Sequence, residues 1–484
     1  MAHNIKSFIA TLEKHHPEEI VRVTKGPLKP HEAECHALLY HLERQSKWPM
    51  AVFENVVTLN GKRWPGLLQT QADGTFSKLA VACGLPPERW TAEGLINTLH
   101  EHSTVPQKTV VVKKEEAPVK HTVITGSDMD FRDLPAYRKD AKDARPGWFC
   151  GVAIGREIKS GRYNLSWHRL LLHGPQSAAA RLQYRHLWSY LQGYRDAGHE
   201  EMPCVWVLGH YPTFMLASSV RVGYDVDEYD YAASLMGEPL RLTPSETWGE
   251  DFLVPADAEI LLEGYLHCTE RGLNGPWTDY MRYYSPQTLE PIFRPTAITM
   301  AAEPVFDAHI ARHDLYHATS LALALTRTLK QAYPRVRAAY VPAPFVAVVQ
   351  FQPDHPGEST RVGLLTLLAA GDFVKNVIIV DTDINPFDIH EVLFSLGTRV
   401  DANTYQVQKI GDLDANRQDP APVSYMRTGG LIIDSTKPTD RPFPELGNPD
   451  QELLERIKLT DFVSEERART LLSGLFLNLH PTIV

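Results

Sequence analysis

RYNLSWHRLLLHG, residues 162–174, decides how the rest of the chain is read. It is a β-leaning run, and WFCGVAIGREI (148–158) with the turn KSGR (159–162) stands directly before it. Two such runs joined by a glycine-containing turn predict a β-hairpin. On its second strand Asn164, Ser166 and the other even positions face one side, and Arg169 falls on the other parity. A bulge or the strand end is then needed to bring Arg169 to the same site.

Two segments further on extend the pattern. RLQYRHLW carries His186 and GYDVDEYDY carries Glu228. An amide oxygen, an imidazole and a carboxylate suit a divalent cation that also holds a phosphate, Mn²⁺ or Mg²⁺. Arg169 keeps its charge at any working pH and offers a fork to a carboxylate. Each residue taken singly is more often structural. Asn164 and Ser166 can cap a turn, His186 can be a satisfied helix histidine, and Glu228 can sit on a solvated face.

The bulk properties narrow the function classes. At 484 residues two or three domains are expected, and 43% hydrophobic with 22% charged residues is a globular composition. A net charge of −10 argues against nucleic acid and anionic membrane as partners. No apolar run predicts a membrane span, and MAHNIKSFIATLEKHHPEE has no signal-peptide core, so a cytoplasmic protein is expected. Five cysteines without a CxxC pair fit reduced thiols.

Residues 1 to about 105 mix helical (SFIATLEKHHPEEI, EAECHALLYHLERQS, TAEGLINTLHEH) and strand-like (WPMAVFENV) stretches and predict a small α/β lobe. PQKTVVVKKEEAPVKHT (106–122) reads as an exposed connection. AARLQYRHLWSYLQGYRDAG predicts a helix carrying Arg185 and His186, and VPADAEILLEGYLHC a strand leading into the Gly-rich loop TERGLNGPWTDY. AAYVPAPFVAVVQFQ reads as one strand, and NVIIVDTDI as another. DIHEVLFSLGTR is a helix with a capping-box-like start at Asp388 and Glu391. PDQELLERIKL and SEERARTLLSGLFLNL predict tail helices.

N-x-S-x-x-R, a later R-H, and E-x-x-Y ahead of VPADAEILLEG resemble the UbiD family of prenylated-FMN-dependent decarboxylases. APVKHTVITGSDMDFRDLP, GHYPTFMLASS, VKNVIIVDTDINPFD and IDSTKP fall in the matching order between about residues 120 and 440. The resemblance implies an α/β multidomain fold. Its parts are an N-terminal α/β lobe (1–110), a central split β-barrel binding prenylated FMN (111–315), a C-terminal α/β domain (316–450) and a helical tail in oligomer contacts (451–484). It implies that Asn164, His186 and Glu228 hold Mn²⁺ (or Mg²⁺, with K⁺ as a further ion). It also implies that Ser166, Trp167, Arg169, Arg185 and Lys375 complete the cofactor site. Arg185 stands where the family also allows glutamine, and Lys375 taken alone reads more readily as a solvated strand-edge lysine. The other implied partners are a small carboxylic acid, a flavin prenyltransferase as supplier and a second copy of the chain, as homodimer or homohexamer.

The loop GLNGPWTDY stands where many members read E-G-P-F-G-E or E-G-P-F-G-D. The two acids and the arginine form an ionic network there, and the last acid carries the proton. Asp279 keeps the last acid. Asn274 replaces the first, and an amide neither ionises nor carries a proton. Two expectations follow: Asp279 acts alone with a pKa raised by a dry pocket, or Asn274 is matched to a substrate with its own polar group. The resulting reading is a reversible decarboxylase of an aromatic, heteroaromatic or α,β-unsaturated acid. A catalytically altered cofactor-binding or assembly protein is the alternative. An FMN oxidoreductase would need a nicotinamide-binding G-x-G-x-x-G, which the sequence lacks.

Overall fold

A computed structural model describes residues 4–468 apart from 87–88, 310–313, 423–425 and 448. The chain divides into two compact units. One comprises Met1–Trp90, Gly94–Ser320 and Arg417–Pro420; the other comprises Thr91–Glu93, Leu321–Asn416 and Ala421–Val484.

The first unit is built on a closed barrel. Its strands are β1 (Trp148–Arg156), β2 (Tyr163–Gly174), β3 (Ser177–Arg181), β4 (Glu201–Val207), β5 (Ile260–Asn274) and β6 (Thr288–Met300). They pair in the order β5-β4-β1-β2-β3-β6, and β5 closes on β6. Closure leaves no unpaired edge among the six. The β1–β2 hairpin runs in unbroken register from Arg156↔Tyr163 to Trp148↔Leu171. Gly161 sits at φ +74 in its turn, a conformation that disfavours a side chain. Apolar side chains such as Phe149, Leu170, Trp206 and Phe293 fill the core, with Trp206 and Phe293 rings 4.7 Å apart. Helices α1 (His186–Asp196) and α2 (Glu228–Met236) follow β3 and β4 in sequence.

In the same unit, Ile20–Val23, Met50–Phe53, Leu67–Thr70 and Val305–Asp307 form a four-stranded sheet. The last strand comes from beyond the barrel, so the N-terminal lobe is completed by a distant part of the chain. The second unit carries a five-stranded sheet in the order Val336–Ala343, Phe345–Phe351, Val374–Val380, Arg427–Ser435, Val407–Asp414. Helices Glu358–Ala370 and Ile389–Arg399 accompany it.

Several segments differ from the sequence expectation, each for a physical reason. In 106–122 most residues are exposed as expected, but the connection is not without structure: Thr109–Val111 pairs with Leu240–Ser245, and Lys120 near its end is buried against Glu263 at 3.1 Å. The expected helix at 179–198 begins only at His186, because its small N-terminal residues pair as β3. The Gly-rich loop is shorter than expected: β5 continues to Asn274, since Arg271–Asn274 resume pairing with β6 after a register shift. AAYVPAPFVAVVQFQ is two antiparallel strands that meet around Pro344. Asp388 does cap its helix, through His390 N at 2.8 Å, but Glu391 accepts from Asn385 N at 2.6 Å, so no capping box forms. Gln451–Arg456 is helical, and most of the second expected tail helix lies outside the described residues.

Candidate active site

The hairpin register settles the parity question. No register shift interrupts β2 against β1, so Asn164 and Arg169 stay on opposite faces and each gathers its own cluster. No bulge brings Arg169 round.

The Asn164 cluster is organised by the first turn of α2. Asp227 caps that helix at Tyr229 N (3.0 Å) and also accepts from Tyr163 N (3.0 Å). Glu228, one residue on, accepts from Leu165 N at 2.6 Å and from Asn164 Nδ2 at 2.7 Å. The His186 Nδ1 lies 3.4 Å from the same carboxylate. Burial pushes the Glu228 carboxyl above its usual range, and His186, Leu165 N and Asn164 offset this only in part. A cation beside it would remove that cost.

His168, also on the even face, was missed by sequence reasoning and explains the orientation of Asn164. Burial pulls its pKa down to about 4, so it is neutral near pH 7. Its Nδ1 is 3.0 Å from the Arg181 carbonyl, which can only accept, so Nδ1 carries the proton. The bare Nε2, 2.9 Å from Ser166 Oγ, then takes the single hydroxyl proton. Asn164 Oδ1, 3.0 Å from that oxygen, is left without a donor and with both lone pairs available. A hard-oxygen amide, a carboxylate and a part-exposed imidazole therefore fit Mn²⁺ or Mg²⁺. Among the described residues no group of three or more His, Cys, Asp or Glu could hold a metal, and this set depends on the amide.

On the opposite face Arg169 donates to Asp279 through Nη1 and to Ser285 Oγ through Nη2 (2.8 Å). Asp279 also accepts from Gln418. The guanidinium lies over Trp148 and Trp277, at 5.8 and 5.9 Å from the ring centroids. Burial alone would raise the Asp279 carboxyl, but Arg169 and Lys139 outweigh it and hold it below the ordinary range. The expectation of an acid raised by a dry pocket is thus overturned for the resting protein. Asn274 does not join this pair. Its Nδ2 donates to the Ala179 carbonyl at 2.8 Å, and its Oδ1 is buried without a hydrogen-bond partner. Next to it, Glu290 holds Arg181 and Arg417, each at 2.9 Å. Ser285, Glu290, Arg181, Lys139 and Gln418 were not singled out from the sequence.

The two clusters are electrostatically linked, since Arg185 and Arg169 both depress the His168 pKa. Arg185 precedes His186 at the start of α1. Trp167 donates to the Met215 carbonyl (3.0 Å) and lies 4.4 Å from the His309 ring. Lys375 stands on Val374–Val380 of the second unit, with Nζ 5.1 Å from the Phe345 ring centroid.

Comparison with known proteins agrees with this architecture. Residues 110–313 match the 3-octaprenyl-4-hydroxybenzoate carboxy-lyase Rift-related domain, and 316–434 match the C-terminal domain of the same family. The chain belongs to the UbiD family of carboxy-lyases. A phenolic acid decarboxylase of Streptomyces sp. (strain D7) is 24% identical over 90% of this chain and 92% of its own. The anhydromevalonate phosphate decarboxylase of Methanothermobacter thermautotrophicus is 27% identical over 68% of this chain and 79% of its own. Among solved structures, the UbiD-class enzyme HmfF from Pelotomaculum thermopropionicum, in complex with FMN, is 29% identical. It superposes with a TM-score of 0.83 over 95% of this chain and all of that one. An evolved dimeric form of HmfF in complex with prFMN gives 28% and 0.80, over 96% of this chain and all of that one.

Proposed function

We propose that this chain is a reversible, non-oxidative decarboxylase of an aromatic, heteroaromatic or α,β-unsaturated carboxylic acid that works with prenylated FMN. The observation that carries the reading is the Arg169–Asp279 pair on one face of β2, with the Asn164–Glu228–His186 set on the other. Removing CO₂ from an sp² carbon needs an electron sink that side chains lack, and bound prenylated FMN supplies it. Asn164, His186 and Glu228 would hold Mn²⁺ or Mg²⁺ against the cofactor phosphate. Ser166, Trp167, Arg185 and Lys375 would complete its site, with K⁺ as a further ion. A flavin prenyltransferase would supply the cofactor, and a homodimer or homohexamer in the cytoplasm is the assembly proposed.

The chain's own residues do the proton work. A substrate carboxylate competes with Asp279 for the Arg169 fork. As that pair loosens, Asp279 loses the charge that holds its pKa down, and its burial then favours the protonated form. A proton taken from solvent is kept there and delivered to the carbon that CO₂ has left. The depressed resting pKa and the acid role are thus two states of one group. The relatives' printed substrates, a phenolic acid and a phosphorylated acid, each carry a further polar group, which suits an amide at 274.

A second reading rests on Asn274, whose buried, partnerless Oδ1 is what a lost acid would leave. In that case the chain binds cofactor without turnover. Loading the protein with prenylated FMN and measuring CO₂ release over a panel of aryl acids tests the first reading. Asn274→Glu separates the two: a rise in activity marks a relic, and a fall in kcat/KM marks a residue matched to its substrate. We expect the fall.

A further inference from the structure

Two side chains hold the Asp279 carboxylate, and both hold the same oxygen. Arg169 Nη1 and Gln418 Nε2 each donate to Oδ2. Among the described residues Oδ1 takes no hydrogen bond, and the side chain keeps 14% exposure, so Oδ1 is the oxygen left to work. The two donors differ in kind, since a guanidinium carries charge and an amide does not. Burial raises the Asp279 carboxyl, the charges of Arg169 and Lys139 pull it down, and the Gln418 hydrogen bond adds to that pull. Asn274, which stands where a second acid would, donates to the Ala179 carbonyl instead.

Gln418 is held in place by its neighbour. Arg417–Pro420 belongs to the first unit, although the strands before and after it in sequence, Val407–Asp414 and Arg427–Ser435, belong to the second. Arg417 donates to the Leu182 carbonyl at 2.8 Å and to Glu290 Oε1 at 2.9 Å, and its guanidinium lies 4.6 Å from the Tyr184 ring centroid. The Arg417 and Glu290 side chains are both buried, so this charge-assisted contact anchors the strap more firmly than a surface ion pair would. When a substrate carboxylate takes the Arg169 fork, Oδ2 loses its charged donor and keeps the neutral one. A protonated carboxyl has one carbonyl oxygen and one hydroxyl. An N–H donor on Oδ2 gives that atom the carbonyl role and leaves the proton to Oδ1. A neutral donor thus fixes which oxygen carries the proton without holding the carboxyl ionised as a cation does.

We propose that Gln418 is the positioning residue of the proton donor: it keeps Asp279 Oδ2 fixed while the substrate carboxylate draws Arg169 away, so that Oδ1 presents its proton to the carbon that CO₂ leaves. In that step the Oδ1–H bond breaks and its electron pair stays on Oδ1. The new C–H bond uses the pair that the departing CO₂ left behind. Arg417 acts one step further back, by anchoring the strap that carries Gln418. The proposal rests on the decarboxylase reading.

The test measures kcat and KM against pH for Gln418→Met, loaded with prenylated FMN, on the aryl acid that wild type turns over fastest. Met keeps the length and loses the donor. Arg169, Lys139, Arg181 and Cys150 are the other ionisable groups coupled to Asp279, and all four are unchanged in the variant. The kcat plateau, where Asp279 is protonated, should fall roughly 10²-fold through misplacement of the acid, with KM and flavin occupancy unchanged. The basic limb of kcat should move to higher pH, because the ionised carboxylate has lost a donor. A plateau at the wild-type level with only the limb moved means that Gln418 tunes the acid without placing it, and overturns the proposal. A fall in kcat accompanied by a rise in KM, loss of flavin and an unmoved limb marks a structural strap and overturns it equally. If Gln418→Met fails to fold, Arg417→Met decides: it frees the strap from Leu182 and Glu290, so kcat should fall with KM kept, and a wild-type kcat sinks the idea. A wild type that releases no CO₂ from any aryl acid removes the decarboxylase reading and the proposal with it. CO₂ release at one rate by wild type and Gln418→Met removes the proposal alone.

Discussion

At the scale of single residues the two faces of β2 make separable predictions. If Asn164, His186 and Glu228 share one cation, His186→Ala should lose metal and flavin together. Loss of groups that merely orient a ligand costs about 10- to 100-fold in affinity, and loss of a ligand itself should cost at least that. Metal analysis and flavin absorbance on the purified variant check it, and full occupancy of both would remove His186 from the set. On the other face Arg169→Lys keeps the charge and loses the fork shared by Asp279 and Ser285, so most turnover should go. Asp279→Asn should cost about 10²–10⁴-fold in rate with cofactor still bound. Near-normal rates in either variant would reduce the pair to a structural salt bridge. The pair also contributes to stability. A carboxylate with a depressed folded pKa stabilises above its unfolded pKa and loses that contribution as pH falls through the folded value.

At the scale of elements, the important junction is the start of α2. Asp227 both caps the helix and takes Tyr163 N, so one carboxylate sets the helix against the strand that carries Asn164. Asp227→Ala should cost about 1 kcal/mol, the usual value of a cap, read from chemical denaturation. It should also weaken metal binding, because Glu228 is positioned by the same turn. A stability loss with unchanged metal affinity would show that Glu228 is held by Leu165 and Asn164 alone. The hairpin was legible because alternation and a glycine turn are local signals. Its parity was legible too, and it correctly set Arg169 apart from Asn164; the error was to expect a bulge to undo that. The start of α1 was not legible, since Ser177–Arg181 pairs with a strand from more than a hundred residues later. Glu290 and Lys139 stayed hidden because Arg181 and Arg417, which Glu290 holds, and Trp277, beside Lys139, are distant in sequence. His168 lies two residues from Ser166 on the same strand face, so the even-position alternation already placed it there.

At the scale of the whole molecule, cation binding is coupled to stability and to pH through Glu228. Its folded pKa is raised by burial, so without a cation the folded state binds this proton more tightly than the unfolded chain does. The sign follows: this group favours the folded state at low pH, and the cost of ionising it grows as pH rises through the ordinary carboxylate range towards the raised folded value. A divalent cation needs the carboxylate ionised and repays that cost on binding. The rise in Tm produced by Mn²⁺ should therefore be small near pH 5 and larger at pH 7.5. At saturation by a hundredfold excess over Kd the gain is about 2.7 kcal/mol. In Glu228→Gln, which cannot ionise, the Mn²⁺ shift should be small and lose its pH dependence. Thermal melts with Mn²⁺ and with EDTA across this pH range measure both. A Mn²⁺ shift of equal size in Glu228→Gln would place the cation elsewhere in the molecule. A shift that is large and flat with pH in the wild type would mean that Glu228 is already ionised before the metal arrives.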